Sequence, residues 1–392
     1  MGSVQLTGKG RRWLLKGHRW VYRDDIAIGA GEPGELLPVE DPNGNPLGWG
    51  LYSSASKIAV RMITGESEQP NREFWAARVR RAIAARQRMG LLDPKGACRL
   101  FAGDADGLPG FIVDLYGGVA VAASSAQASD RMRDFLLELL VEELPFELDA
   151  IVERSDATIR RLEELTTRVE LLQGEFEAPL IIEEDDLKYE VDVYDGHKTG
   201  HYLDQRLNRQ RAAEFAKDKK VLDAFCYDGL FGIRAALAGA SEVVCVDQSA
   251  PAGERVVRNA ERNGVSDRVR FEKGNCMQDL RNRADAGESY GVVIVDPPAF
   301  ARNKRELAGS ERGYVELNRR AMELVEPGGM LVSASCSYNV RPELFMQFLA
   351  KAARSADREV YLHEMRGASP DHPYLLALPE TNYLKCAFLR VE

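Results

Sequence analysis

Val221-Leu222-Asp223-Ala224-Phe225-Cys226-Tyr227-Asp228-Gly229-Leu230-Phe231-Gly232 is the stretch that decides the fold. An apolar run stops at a turn carrying acids and a glycine, and a helical pattern follows. Glycine there lets the backbone turn tightly and approach a ligand at the N-terminus of the next helix. Downstream, Val243 to Asp247, Val269 to Glu272, Val292 to Asp296 and Met330 to Ser335 are further short apolar runs with helical patterns between them. Strands this uniformly apolar are buried on both faces, so the alternation predicts a doubly wound, Rossmann-like domain over residues 195–392.

Upstream the grammar differs. Over residues 1–70, apolar stretches at Gly34 to Val39, Leu47 to Tyr52 and Ile58 to Ile63 are separated by turn chemistry such as Asp41-Pro42-Asn43-Gly44-Asn45-Pro46, which predicts a small β barrel. Over residues 71–194 the reading is a helix from Arg72 to Met89, strands at Phe111 to Leu115 and Val119 to Ala123, a helix from about Ser129 to Leu144, and strands at Ala150 to Glu153 and Leu187 to Val193. That order predicts a central α+β domain, so the fold class is multidomain α/β.

A length of 392 residues fits two or three domains. No apolar run approaches the roughly 18 residues that span a bilayer, and the N-terminus lacks a secretory apolar core, so a soluble cytoplasmic protein is expected. The six cysteines are scattered without a C-x-x-C pair, which argues against a disulfide framework or zinc cluster. His197 and His201 flank a glycine and lack a third ligand, and no metal is expected. Net charge is −9, yet residues 1–23 hold six basic side chains, with Trp13, Trp20 and Tyr22 interleaved, and residues 72–88 hold six arginines. An acidic chain with basic segments can still present a cationic face to nucleic-acid phosphate.

The candidate ligand site lies at the strand ends. Asp247 ends the second apolar run, where a carboxylate accepts both hydroxyls of a ribose. Asn275, after the third, is placed to meet an adenine edge. With a ribose-reading acid but no phosphate-cradling motif, S-adenosylmethionine fits better than NAD or ATP. Asp296-Pro297-Pro298-Ala299-Phe300 follows the fourth run, its prolines fixing the backbone and Phe300 offering a ring for an extruded base. Ser335-Cys336-Ser337 follows the fifth, so a thiol and a carboxylate can converge on one pyrimidine. Cys98 is read as lying in a connecting segment, and the run His197 to Arg206 as a loop and helix start lining the cofactor pocket.

In this order the chain resembles the RlmI-type 23S ribosomal RNA cytosine-5 methyltransferases. The resemblance rests on Leu15-Lys16-Gly17-His18-Arg19-Trp20-Val21-Tyr22, Ala105-Asp106-Gly107-Leu108-Pro109-Gly110-Phe111-Ile112-Val113-Asp114, Lys198 to Arg206, the D-P-P-A-F loop, S-C-S, Asp371-His372-Pro373 and Tyr383-Leu384-Lys385. It implies an N-terminal PUA domain, a central α+β domain and a catalytic Rossmann-like domain. It further implies that Asp223, Phe225, Tyr227, Gly229 and Asp247 bind S-adenosylmethionine, with Asn275 near the adenine and Tyr202 and Gln205 near the methionine end. Cys336 becomes the nucleophile, Asp296 its catalytic partner, and Pro297, Phe300, Lys16 and Arg19 the RNA contacts. The turn Tyr227-Asp228-Gly229-Leu230 departs from the family pattern, which usually has a small hydroxyl residue and paired glycines there, and Asn275 stands where an aspartate is common.

The implied partner is RNA, 23S ribosomal RNA by the resemblance, without membrane or metal; the sequence leaves the oligomeric state open, a homodimer included. Two other readings stay open. A D-P-P-aromatic loop also resembles the N-P-P-aromatic loop of amino methyltransferases, which implies purine N-methylation. A non-catalytic RNA-binding protein of ribosome assembly is the other.

Overall fold

The apolar runs after residue 219 form one seven-stranded sheet: β1 (Lys220–Ala224), β2 (Glu242–Asp247), β3 (Val269–Lys273), β4 (Tyr290–Val295), β5 (Val325–Ser335), β6 (Val360–Arg366) and β7 (Lys385–Val391). Their spatial order is 3-2-1-4-5-7-6. The first five run parallel, and β7 lies antiparallel between β5 and β6. Connecting helices are α1 (Arg206–Ala213), α2 (Leu230–Leu237), α3 (Ala250–Arg262), α4 (Cys276–Asp285), α5 (Leu307–Leu324) and α6 (Pro342–Ser355), of which α1 precedes β1. Strand order reverses between β1 and β4, and the crevice outside the carboxyl ends at such a reversal is where open α/β sheets bind ligands.

The computed structural model describes residues 2–300 and 307–392. The chain forms two compact units, Met1–Glu184 with Val191–Leu203 and Pro370–Thr381, and Asp185–Glu190 with Asp204–Ser369 and Asn382–Glu392. In the second unit, strand periodicity sorts the side chains. Leu222, Ala224, Val244, Val246, Val293, Val295 and Leu331 enter one core with Tyr314, Leu317, Phe345 and Phe348 of α5 and α6. Burying each large aliphatic or aromatic side chain contributes on the order of 1.5–3 kcal/mol. Alternation then turns Asp223, Cys245, Ile294, Val332 and Ala334 to the opposite face. The Pro327-Gly328-Gly329 turn is absorbed into β5: Tyr290 pairs with Val325 but Val292 with Met330, and Gly328 takes φ +79°.

The first unit carries a six-stranded sheet, in spatial order Trp20–Tyr22, Ile58–Thr64, Pro46–Tyr52, Leu36–Glu40, Ser3–Leu6 and Ile26–Ala30. Its five-stranded sheet runs Arg168–Gly174, Ala150–Ser155, Val119–Ser124, Phe111–Tyr116 and Ala97–Ala102. Cys98 thus sits inside a strand, buried, rather than in a connecting segment. The helix expected over about 129–144 is broken into Gln127–Arg131 and Arg133–Glu143, with Met132 serving as the boundary of both.

Candidate active site

Four strand ends converge at the carboxyl edge of the seven-stranded sheet. Asp223 is 1% exposed on β1, and its Oδ2 accepts the Gly232 N–H at 2.9 Å. Glycine is required at 232 because a Cβ would lie 2.7 Å from Cys245 Sγ and 2.8 Å from Val243 Cγ1. Burial pushes the Asp223 carboxyl up to about 8; the Gly232 N–H opposes this, and the charges of Asp296, Asp228 and Asp247 add to it. A buried carboxylate ringed by acids is a site short of a cation.

The turn after β1 is wound left-handed at Phe225 (φ 62°), Tyr227 (φ 51°) and Gly229 (φ 78°). A side chain held there costs on the order of 1–2 kcal/mol, and such outliers gather at ligand sites. Fixed contacts hold the turn open: Phe225 N–H donates to Cys276 Sγ (3.2 Å) and Tyr227 N–H to Asp247 Oδ2 (3.1 Å). Asp247 Oδ1 accepts from Ser249 N–H at 2.9 Å. Each Asp247 oxygen thereby keeps a lone pair for a diol. Asn275 caps α4, its Oδ1 accepting the Gln278 N–H at 3.1 Å. These groups suit S-adenosylmethionine: a diol acceptor at Asp247, and at Asp223 a buried carboxyl that a cationic amino-acid end would favour in its ionised form.

Asp296 follows β4 and Cys336 follows β5. Val295 pairs with Ser333, so extending the register sets Asp296 beside Ala334, with Cys336 two residues further on the same face. Strand spacing and rise then put the two Cα atoms about 8 Å apart. Gln205 at the start of α1 donates through Nε2 to Asp296 Oδ2 at 3.0 Å, and Asn208 Nδ2 fixes Gln205 Oε1 at 2.7 Å. Gln205 therefore orients the Asp296 carboxylate. Pro297 is buried, and Phe300 is half-buried with its ring edge-on to Tyr314 at 4.8 Å.

Serines brace the thiol turn. Ser335 and Ser337 hydroxyls lie 2.8 and 2.9 Å from the Tyr314 hydroxyl, and Ser333 donates to Asn318 Oδ1 at 2.6 Å. Cys336 lies between Ser335 and Ser337, and none of these bonds uses its side chain. It is the one cysteine of six that is not fully buried, whereas burial pushes the thiols of Cys276 up to about 12 and of Cys226 and Cys386 well above the ordinary value.

Lys385 of the Tyr383-Leu384-Lys385 motif is a side chain whose role the sequence pattern leaves unmarked. On β7 and paired with Ser335 of β5, it is 2% exposed, and its Nζ donates to Ser337 O (2.7 Å) and Tyr383 O (2.8 Å). Burial lowers its pKa to about 8, and the charge of Cys336 acts in the opposite direction. The only sequence signal is a lysine opening a strand whose next four residues are apolar.

The remaining expected residues lie in the first unit. Tyr202 is half-buried, its hydroxyl 3.0 Å from His197 Nδ1, with Lys198 Nζ 4.4 Å over its ring. Lys16 is exposed and Arg19 half-buried. The arginine-rich helix Arg72–Arg88 is not a uniformly phosphate-facing surface. Arg72 pairs with Glu138 and Glu142, Arg80 with Glu73 and Glu143, and Arg86 makes two 2.8 Å bonds to Asp106. Among the described residues no group of three or more His, Cys, Asp or Glu is placed to hold a metal, and no helix is long and apolar enough to cross a membrane.

Residues 157–376 match the family model for S-adenosylmethionine-dependent methyltransferases, and residues 4–65 the model for a PUA-like domain. Ribosomal RNA large subunit methyltransferase I from Shewanella frigidimarina is 40% identical over 99% of both chains, and its namesake from Shewanella denitrificans is 41% identical over the same share. The solved structure of SMU.776 complexed with SAH shares the fold, with a TM-score of 0.87 over the whole of both chains at 20% identity. On the match to the methyltransferase model and the full-length likeness to these relatives, the chain belongs to the family of ribosomal RNA large subunit methyltransferase I, S-adenosylmethionine-dependent methyltransferases that carry a PUA-like domain.

Proposed function

We propose that the protein methylates carbon 5 of a cytosine in large-subunit ribosomal RNA, 23S by resemblance, through a covalent Cys336 adduct. What supports this reading is that Asp296 follows β4 and Cys336 follows β5, neighbouring parallel strands in which Val295 pairs with Ser333. RNA as substrate follows the relatives' name and agrees with the basic, aromatic segment around Lys16 and Arg19; action on ribosomal RNA fits a cytoplasmic site. In this reading residues 1–70 and 71–194 handle RNA and residues 195–392 perform the chemistry.

Carbon 5 of cytosine is a poor nucleophile. Cys336 Sγ, as thiolate, adds to carbon 6, and Asp296, oriented by Gln205, holds the proton that neutralises nitrogen 3. Carbon 5 thereby gains the electron density to attack. The cofactor supplies an electrophilic methyl on a sulfonium. Loss of the carbon 5 proton then restores the double bond and expels Cys336. Asp223 and Asp247 hold the cofactor's amino-acid and ribose ends, and Phe225, Tyr227, Gly229 and Asn275 line its cradle. Pro297 and Phe300 border the base.

RNA carrying 5-fluorocytosine tests the reading, because fluorine at carbon 5 blocks the elimination. A denaturation-resistant protein–RNA adduct, mapped to Cys336 by mass spectrometry, is the expected result. Methyl transfer to RNA without any adduct would favour the purine N-methylation mechanism.

Lys385 is the cation that makes the thiolate accessible, since a neighbouring positive charge lowers a thiol's pKa. Its folded pKa of about 8 leaves it charged at neutral pH. Lys385→Met should move the acidic limb of the kcat/KM profile up by about one pH unit and cost about tenfold at pH 7. The mutant and native profiles should converge above about pH 9, where Lys385 is neutral. A uniform loss at every pH would instead mean that Lys385 only supports the turn.

A further inference from the structure

In the first unit, three arginines meet where their charges are not cancelled. Arg78 Nη2 donates to Ile63 O at 2.5 Å and Nη1 donates to Gly107 O; one residue away on each side, Arg19 O accepts the Met62 N–H (2.8 Å) and Arg81 Nη2 donates to Asp106 O (3.3 Å). All of these acceptors are backbone carbonyls. The Asp106 carboxylate close by is already taken by Arg86, through two 2.8 Å bonds, and by the Ala102 N–H at 2.7 Å. Among the described residues, Arg19, Arg78 and Arg81 have no carboxylate partner, although Arg72, Arg80 and Arg86 on the same helix all do. Burial, then the charges of Arg81 and Arg19, lower Arg78 to about 10. Three cations so close lack a counter-anion.

Aromatic rings border this cluster on the segment that carries Arg19. His18 lies between Trp13 (6.1 Å) and Tyr22 (6.2 Å), and both outer rings are exposed, at 49% and 40%. Lys16 Nζ stands 5.7 Å from the Trp13 ring. Charge without base-edge chemistry, next to open ring faces, is the pattern that grips a phosphodiester backbone and stacks its bases.

We propose that Arg19, Arg78 and Arg81 form a phosphate-binding site for the backbone of single-stranded RNA, with Trp13 and Tyr22 as its stacking surfaces. The site rests on the RNA reading above but not on the Cys336 chemistry. It also separates Arg72, Arg80 and Arg86, which pair with carboxylates within the fold, from Arg78 and Arg81 on the same helix, which face the ligand.

The test is fluorescence anisotropy of a labelled 30-nucleotide single-stranded RNA with the full chain, titrated between 50 and 200 mM KCl. Arg19→Gln/Arg81→Gln is compared with Arg72→Gln/Arg80→Gln, which removes the same formal charge from paired arginines. Each lost phosphate contact lowers the slope of log affinity against log salt by about 0.7. The first pair should therefore lose about 1.4 of slope, so that the native chain loses about sevenfold more affinity than the variant across that salt range. The second pair should keep the native slope. An unchanged slope in the first pair, or an equal fall in both, overturns the site while leaving RNA binding standing. A native chain with no affinity for the RNA overturns the RNA reading and the site together.

Discussion

Cys336→Ala should reduce methyl transfer by a factor on the order of 10⁴ or more, the scale on which removal of a covalent nucleophile is felt. Cofactor affinity measured by calorimetry should stay within about twofold, because no group assigned to the cofactor lies on β5 or in the Ser335-Cys336-Ser337 turn. The fold should survive. Ser333, Ser335 and Ser337 brace the turn through Asn318 and Tyr314, and Lys385 holds the Ser337 carbonyl; none of these bonds uses the cysteine side chain. The same variant should form no adduct with 5-fluorocytosine RNA. Activity retained within tenfold of native would sink the nucleophile assignment, and Cys336 would then be a half-exposed thiol that merely borders the base pocket.

The central sheet was legible because its inner parallel strands β1, β2 and β4 are covered on both faces and so are written as largely apolar runs, whereas the edge strand β3 carries Arg270, Glu272 and Lys273. Strand-end acids stand out against such runs, which is why Asp223, Asp247 and Asp296 could be named. Edge strands carry no such signal: β6 is largely exposed, and Trp20–Tyr22 and Ile26–Ala30, like the inner strand Ser3–Leu6, are short pieces whose pairing partners lie far along the chain. Helix Gly8–Leu15 contains two glycines and three basic residues, so its pattern does not read as helical. Long-range partners were invisible for the same reason. Arg72 finds Glu138 and Glu142 across 66 and 70 residues, Gln205 finds Asp296 across 91, and Lys385 reaches Ser337 across 48. Charge density can be counted from sequence, but whether each charge is spent inside the fold depends on tertiary pairing.

Asp223→Asn should separate what the buried acid does for the apoprotein from what it does for the ligand. A carboxyl raised from 3.8 to about 8 by burial and neighbouring acids is protonated in the free protein at neutral pH. Stability from this group is therefore fully present below its unfolded value and falls as pH climbs toward about 8, where the folded site must accept an uncompensated charge. A cationic amino-acid end reverses that preference by favouring the ionised form. Cofactor binding should then release a proton, and native affinity should strengthen by up to about tenfold per pH unit between pH 6 and 8 before levelling off. The asparagine variant keeps an oxygen for the Gly232 N–H but cannot ionise. It should lose that pH dependence and about 100-fold of affinity at pH 8, since a charge-assisted contact becomes a neutral one in a buried site. Its apoprotein should melt several degrees higher than native at pH 8, because the buried charge is gone. Calorimetry across pH, paired with thermal melts with and without cofactor, reads both effects. If the variant binds as tightly as native with the same pH dependence, the cation that Asp223 lacks is not the cofactor's.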